Sequence, residues 1–395
     1  MANTLLTPTA VTREALRVLH QKCNFLGNIN RQYDSSFAVQ GAKIGSTLKI
    51  RKPNQYTVRT GATIDVQDTA ETSETLTVAT QKGVDVEFSS TDLTLSLDDF
   101  SSRILDPMMS VLAANIESDA LSMYKSVYQQ SNNVGSSATM AKVLSGRKSL
   151  VDSLAGSTGL KINMDTQMNV DLVDALKGLF QSSSAISKQY LDGIVGRTAG
   201  FDFYENTLMP HHVTGSDDAT GDYLANSATV QTGSAITVDG GAATLKQGDI
   251  VTIANVNRVH PETKVNTGSL QQFVVTADVA GSATTINISP EIITTGARQN
   301  VNAGVANNAA FTKIGGASAE YEVALGYHPD AFTFVTADLR LPRGLEFAAR
   351  EVMDGISMRV VSDYDITNDT FPTRIDVLYG YLAVRPELAV RFANN

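Results

Sequence analysis

The sequence holds a single cysteine, Cys23, in 395 residues. No intramolecular disulfide can form, so nothing points to an oxidising compartment. It also lacks any run near the roughly 18 apolar residues that a membrane-spanning helix needs. The opening stretch, MANTLLTPTAVTREALRVLHQK, has no basic segment ahead of an apolar run and does not read as a secretory signal. An excess of positive charge is missing too. Lys and Arg number 31 against 41 Asp and Glu, a formal net charge of −10. A protein that holds nucleic acid through its phosphates carries a basic surface, so that task is not expected of the chain as a whole.

Local catalytic signatures are absent as well. The sequence contains no G-x-S-x-G elbow, no phosphate loop ending in Gly-Lys-Ser/Thr and no G-x-G-x-x-G after a strand. The histidines are His20, His211, His212, His260 and His328. The adjacent pair His211–His212 lacks the i, i+4 spacing that lets two rings share a metal from one helix face. Cys23 follows His20 by one helical turn, but no family signature surrounds the pair, and a buried or idle thiol is the simpler reading. Asp98–Asp99 and Asp217–Asp218 read as cap and solvent residues rather than an acid–base pair. The stretch DYDITND, residues 363–369, has the D-x-D spacing of a calcium loop without its Gly or distal Glu, and solvation at a strand edge is expected instead. No catalytic, cofactor-binding or metal-binding residue is assigned, and no enzymatic activity is expected.

What is present is globular: 42% hydrophobic and 18% charged residues, with length for two or three domains. Residues 1–46 read as an N-terminal arm with a short helix around Val11–Lys22. Arg13, Arg17, Lys22 and Arg31 make this segment basic. Residues 47–96 alternate like a long two-stranded ribbon, with TLKIRKPNQYTV and TSETLTVATQKGVDVEFSS as its strands. Its second half is acidic, with Asp68, Glu71 and Glu74. A lone ribbon is marginal in water and needs a surface to lie on. The clearest helix runs from Pro107 to Gln130, roughly 36 Å at about 1.5 Å per residue, with Pro107 either in its first turn or at a kink in one longer helix. From residue 213 to 318 helical periodicity disappears. Short strands such as GDIVTIANV and LQQFVVTADV, parted by Gly and Asp turns, predict a small β-barrel or sandwich. Mixed α+β texture resumes after it, so the β-domain reads as an insertion. Residues 376–395, DVLYGYLAVRPELAVRFANN, predict a buried strand pair beside the long helix, with Arg385 near Glu387 or another carboxylate and Pro386 at an edge or bend.

Arm, ribbon, long helix, insertion and apolar terminal strands, in that order, resemble the major capsid (coat) proteins of tailed bacteriophages of the podovirus type with an inserted β-barrel. The stretches that carry the resemblance are IVGRTAGFDFYENTLMPHH, LKQGDIVTIANVNRVHPETK, GSLQQFVVTADV and GISMRVVSDYDITND followed by RIDVLYGYLAVRPELAVRF. The resemblance implies an α+β Hong-Kong-97-type capsid fold. Its parts would be an arm (1–46), an extended loop (47–96), a peripheral domain with a spine helix (97–185), an axial domain (186–212 and 319–365), the inserted barrel (213–318) and C-terminal strands returning to the core sheet (366–395). It also implies a subunit of an icosahedral virion shell, built in the host cytoplasm as pentamers and hexamers of itself. Implied partners are a scaffolding protein, a portal, a decoration protein and packaged double-stranded DNA bound without sequence specificity. No membrane and no cofactor are implied. Arg13, Arg17, Lys22, Asp68, Glu71 and Glu74 are the expected inter-subunit contacts. Pro107, Gly380, Arg385, Pro386 and Glu387 are the expected structural positions. The alternatives are an encapsulin-like shell protein, a β-rich surface or carbohydrate-binding protein, and a hydrolase with dispersed residues.

Overall fold

A computed structural model of the chain describes residues 12–17, 19, 23–33, 46–64, 66–67, 71–89, 106–176, 195–217, 222–342, 344–345, 347–353 and 356–394. They divide into two compact units, each made of several stretches of chain.

The first unit comprises residues 1–50, 73–121 and 332–384. Its sheet runs β1 (Asn30–Tyr33), β16 (Phe332–Ala337), β19 (Thr370–Ala383), β18 (Ile356–Ser362) and β17 (Phe347–Met353), with β4 (Thr80–Ser89) along β19. Two further strands, β2 (Ser46–Arg51) and β3 (Ser73–Val78), pair with each other. Leu48, Ile50, Leu76 and Val78 cluster with Val335, Ala337 and Leu378. Alternation alone had placed β3 and β4 in one ribbon strand. They part at Ala79, and β4 pairs with β19 from Thr80↔Tyr379 to Ser89↔Thr370. A two-residue period shows which face is apolar but not which strand lies alongside.

Helix α1 (Asp106–Leu121) packs in the same unit. Two neighbouring positions per turn are buried along it: Met108 and Met109, Leu112 and Ala113, Ile116 and Glu117, Ala120 and Leu121. This spacing is one helical face repeated. Pro107 sits at its second residue, where the missing N–H costs no helix bond. The predicted helix to Gln130 is corrected: the α-helix ends at Leu121, and a 3-10 turn, Ser122–Ser126, follows. There Val127 N–H bonds the Tyr124 carbonyl three residues back. Met123 and Val127 are buried as the pattern suggested, but in the second unit. Part of the predicted arm packs in the first unit. Phe25 N–H donates to Glu117 Oε1 at 2.9 Å, its ring meets Phe332 edge-on, and β1 runs parallel to β16.

The second unit comprises residues 51–72, 122–331 and 385–395. Its main sheet runs β5 (Gln130–Asn132), β20 (Ala389–Asn394), β15 (Glu320–Tyr327), β6 (Leu160–Met164), β8 (Phe201–Glu205) and β7 (Arg197–Thr198), with β9 (His211–Val213) also on β15. Helices α2 (Met140–Asp152) and α3 (Thr166–Leu176) belong to this unit. The chain leaves the sheet after Val213 and re-enters at Glu320, two residues paired across β9 and β15. The excursion is zipped at its root: Thr214 N–H donates to the Ala319 carbonyl and Ala319 N–H to Thr214 Oγ1.

Within the excursion, β10 (Gly233–Thr237), β13 (Thr285–Ile292), β12 (Asn266–Val275), β11 (Ile250–Val259) and β14 (Phe311–Ile314) form one sheet. Residues 223–226 close it. Phe311 N–H bonds the Tyr223 carbonyl beside β14, while Asn226 N–H bonds the Thr237 carbonyl at β10. Closure removes the sheet edges. Tyr223, Phe273, Phe311, Ile286 and Val251 fill a core of the barrel's own.

The terminal strands divide between the units. β19 lies in the six-stranded sheet with the unit of α1, whereas β20 is a central strand of the other sheet, antiparallel to β15 and parallel to β5. Every residue of β20 is buried. Deletion of residues 386–395 should therefore yield insoluble chain, because β5 and β15 would lose their shared neighbour; soluble chain at wild-type yield would contradict this. Gly380 is a second sensitive point. A Cβ there would strike the Thr77 carbonyl oxygen, a backbone atom that cannot turn aside. Gly380→Ala should cost about 1–3 kcal/mol, read as a lowered denaturation midpoint.

Candidate assembly surface and the anchor of the inserted barrel

The segment between β2 and β3 carries four large apolar side chains in the open. Tyr56 is 57% exposed, Val58 94%, Ile64 76% and Val66 84%. Tyr56 and Val58 are two residues apart, as are Ile64 and Val66, the spacing that puts extended-chain side chains on one face. The segment is nevertheless shaped. Gln67 accepts Thr57 N–H at 2.8 Å and donates to the Thr57 carbonyl at 2.6 Å, imitating a neighbouring strand. Arg59 donates to the carbonyls of Gly61 and Thr63, and Gly61 takes the positive φ that the turn requires. Lys52 N–H bonds the Thr72 carbonyl at the base. These bonds hold apolar surface in water.

The predicted contact residues are spread over the chain. Arg13 lies 3.5 Å from Glu351, and Arg17 pairs with Glu14 one helical turn away. Glu71 pairs with Arg51 at 3.2 Å, and Glu74 lies on β3. Lys22 and Asp68 lie outside the described residues. Arg385 bonds Glu387 at 3.0 Å, and Pro386 opens the 3-10 turn that leads into β20.

A second feature was not read from the sequence. Arg391, in the middle of β20, is completely buried. Its Nη2 donates to Gln130 Oε1 at 3.0 Å and to the Gly248 carbonyl at 2.8 Å, and its guanidinium lies 5.8 Å from the Tyr124 ring centroid. Gly248 belongs to the inserted barrel, so this side chain ties the core sheet to the insertion. Tyr124 OH lies 3.1 Å from His212 Nδ1, and His212 Nε2 lies 2.9 Å from Asp249 Oδ1. The carboxylate only accepts, so Nε2–H donates to it, and in the neutral ring Nδ1 then accepts from Tyr124. Asp249 Oδ2 accepts the N–H groups of Gly215 and Lys246 at 3.0 and 2.8 Å. A reciprocal amide pair adds to the seam: Gln130 N–H donates to Gln272 Oε1, and Gln272 Nε2 to the Gln130 carbonyl.

Burial lowers the pKa of Arg391, opposed by Tyr321, Tyr124 and Asp249 nearby. Burial pushes Tyr124 up to about 12. Arginine stays charged even so. The Tyr–His–Asp chain resembles a proton relay in outline. His212 and Asp249 are closed to solvent and all their bonds face the protein, so the arrangement fastens the barrel. His211 faces Glu320 and Glu322 instead. In the turn 363–369, Asp365 accepts from Thr367 N–H and Asn368 Nδ2. Among the described residues no three His, Cys, Asp or Glu side chains are grouped to hold a metal ion. The one sequence signal for the anchor was an arginine between Val390 and Phe392 in a strand that is otherwise apolar from Ala389 to Ala393.

A spine helix, an extended loop, strands returning to the core sheets and a barrel inserted between β9 and β15 define a Hong-Kong-97-type capsid fold, the fold of shell subunits. The model of the family described as P22 coat protein, gene protein 5, matches residues 9–393. The chain belongs to that family and is a phage major capsid protein. No curated protein sequence matches it. Solved structures similar to it include Mycobacterium phage Che8, at 13% identity and a TM-score of 0.48 over 94% of this chain and 90% of that one. The bacteriophage PhiM1 mature capsid gives 12% and 0.47 over 94% and 87%. A virus-like particle from Pyrococcus furiosus gives 7% and 0.42 over 97% of each chain. The assignment rests on the family match.

Removing Asp249 tests the anchor. Asp249→Ala leaves His212 Nε2–H and two backbone N–H groups without their acceptor, and breaking such a buried charged cluster costs about 3–5 kcal/mol. The denaturation midpoint should fall accordingly. An unchanged midpoint would mean that the cluster does not hold the barrel.

Proposed function

We propose that this capsid subunit closes its shell through the 52–67 segment, laid on a second copy of the chain. The supporting observation is the quartet Tyr56, Val58, Ile64 and Val66, held in the open by a bonded scaffold. Fully burying one such side chain is worth about 1.5–3 kcal/mol, and a closed shell repeats each contact many times, so modest interfaces sum. In this reading the subunit assembles in the host cytoplasm into pentamers and hexamers, with a scaffolding protein, and the shell takes in double-stranded DNA through a portal and expands. DNA is enclosed without sequence-specific contacts, and no catalysis is required of the subunit.

Charge gives a second contact. Arg13, Arg17 and Lys22 of one copy would lie against Asp68, Glu71 and Glu74 of another. The intramolecular pairs Arg17–Glu14 and Arg51–Glu71 are exposed. Exposed pairs of this kind add little stability and exchange readily for partners on another copy. Charge of this kind acts mostly on the rate of encounter.

Val58→Asp with Val66→Asp should leave the free subunit's denaturation midpoint unchanged and abolish shells in sedimentation and negative-stain images. Shells of normal size and rate from the double variant would contradict the proposal. Reversing Arg13, Arg17 and Lys22 to Glu should slow assembly, and reversing Asp68, Glu71 and Glu74 to Lys in the same chain should partly restore it. No recovery would separate the arm from the ribbon.

A further inference from the structure

The turn between β18 and β19, residues 363–369, is fastened by its own side chains, like the 52–67 segment. Asp365 N–H bonds the Thr370 carbonyl at 2.8 Å and closes the hairpin. Both oxygens of the Asp365 carboxylate are taken, by Thr367 N–H at 2.9 Å and by Asn368 Nδ2 at 2.8 Å. Tyr364 OH donates to Asp369 Oδ1 at 3.0 Å, and its ring lies 5.0 Å from that of Phe371. This framework carries apolar groups outward: Ile366 is 84% exposed and Tyr364 42%.

The surroundings are acidic. Residues 363–369 hold Asp363, Asp365 and Asp369 and no basic residue. At the foot of the turn Thr370 Oγ1 donates to Glu87 Oε1. Beside that bond, Asp85, Val86 and Glu87 of β4 and Pro372, Thr373 and Arg374 of β19 line an open hollow of about 430 Å³. Its one basic member, Arg374, is engaged by Asp376 at 2.8 Å. The face therefore joins exposed apolar side chains to a surplus of negative charge. Contact between the same turn of two copies would set aspartates against aspartates, so the face selects a basic and apolar partner.

The chain supplies such a partner. In the 52–67 segment Lys52 and Arg59 bracket Tyr56 and Val58, with no acidic residue between them. Each surface offers two exposed apolar side chains two residues apart, and their flanking charges are opposite. Val265, exposed beside Lys264, is the rival. It is a single side chain, and that lysine is turned to the Pro261 and Gln299 carbonyls.

We propose that the turn 363–369 and the hollow beside it receive the Lys52–Arg59 stretch of a second copy. This rests on the reading that the 52–67 segment is covered by another copy, and adds which surface covers it. Donor and receptor are different surfaces of one chain, so each copy gives one stretch and takes one. Contacts of this head-to-tail kind close into rings or run on as filaments, whereas a self-matching contact stops at two copies. The pentamers and hexamers of the shell need a contact that closes rings.

The test places Val58→Cys and Ile366→Cys in one full-length chain and treats assembled shells with a short bismaleimide. Cysteine is small and apolar enough to keep the contact, and the native Cys23 is buried. Shells of the double variant should give covalent species up to pentamers and hexamers on denaturing gels. Mixed shells of the two single variants should give covalent dimers and nothing larger, and free subunits should give none. If residues 52–66 become protected from hydrogen exchange in the shells while no cross-link forms, the receptor is wrong and the covering of the segment stands. If those residues stay exposed in the shells, both fail. Cross-links of Ile366→Cys to Arg13→Cys, with none to Val58→Cys, would assign the turn to the arm and overturn the proposal. Independently, Ile366→Asp should leave the free subunit's denaturation midpoint unchanged and abolish shells, and shells at wild-type yield would contradict the contact.

Discussion

A guanidinium taken wholly out of water costs several kcal/mol unless it is bonded on arrival. Arg391 meets part of that demand through Nη2, which bonds Gln130 of β5 and the Gly248 carbonyl of the inserted barrel, and through the face of Tyr124; its Nε and Nη1 are buried without a hydrogen-bond partner among the described residues. The side chain therefore sits well only when β20 lies between β5 and β15 and the barrel is docked. His212 and Asp249 extend the same condition: the histidine comes from the strand leading into the insertion, the aspartate from the barrel, and Tyr124 from the turn after the spine helix. A distance of some 260 residues in sequence, from Gln130 to Arg391, is closed by one bond. Terminal residues held this way cannot be a loose tail, which explains their apolar composition.

The molecule treats its polar and apolar groups in opposite ways. Inside, a charge meets partners from three parts of the chain. Outside, in the 52–67 segment, apolar side chains are held in solvent by Gln67 and Arg59 acting on the backbone. A lone globular protein gains nothing from that arrangement, and large exposed apolar patches mark interaction surfaces. In the proposed assembly the subunit begins with these side chains in solvent and ends with them covered by a second copy.

The elements were legible where periodicity was strong. The strands of the insertion, the start of α1 and the alternation in DVLYGYLA stand in the structure near where the sequence places them, whereas of TLKIRKPNQYTV only the part up to Arg51 is a strand. Pairing was not legible. Nothing local to TQKGVDVEFS says that it lies along β19 rather than β2, since Gly83 and Asp376 become neighbours only after folding. Helix length was overread because Met123 and Val127 continue a helical spacing while serving another core. The buried network escaped for a related reason: apart from Arg391 among apolar neighbours, its members His212 and Asp249 are unremarkable in sequence, and their meaning lies in distances between strands far apart in the chain. Exposure of the ribbon residues could not be read either, since Tyr56 and Val58 look like ordinary strand residues until their surroundings are known.

Hydrogen exchange on free subunits and on assembled shells tests the account most directly. In free subunits the amides of β20 should be protected and those of residues 52–66 should exchange fast, apart from Lys52 and Thr57, whose N–H groups bond the Thr72 carbonyl and the Gln67 side chain. In shells β20 should be unchanged, and the 52–66 amides should become protected. Equal exchange of residues 52–66 in both forms would contradict the claim that this segment is completed by a second copy of the chain.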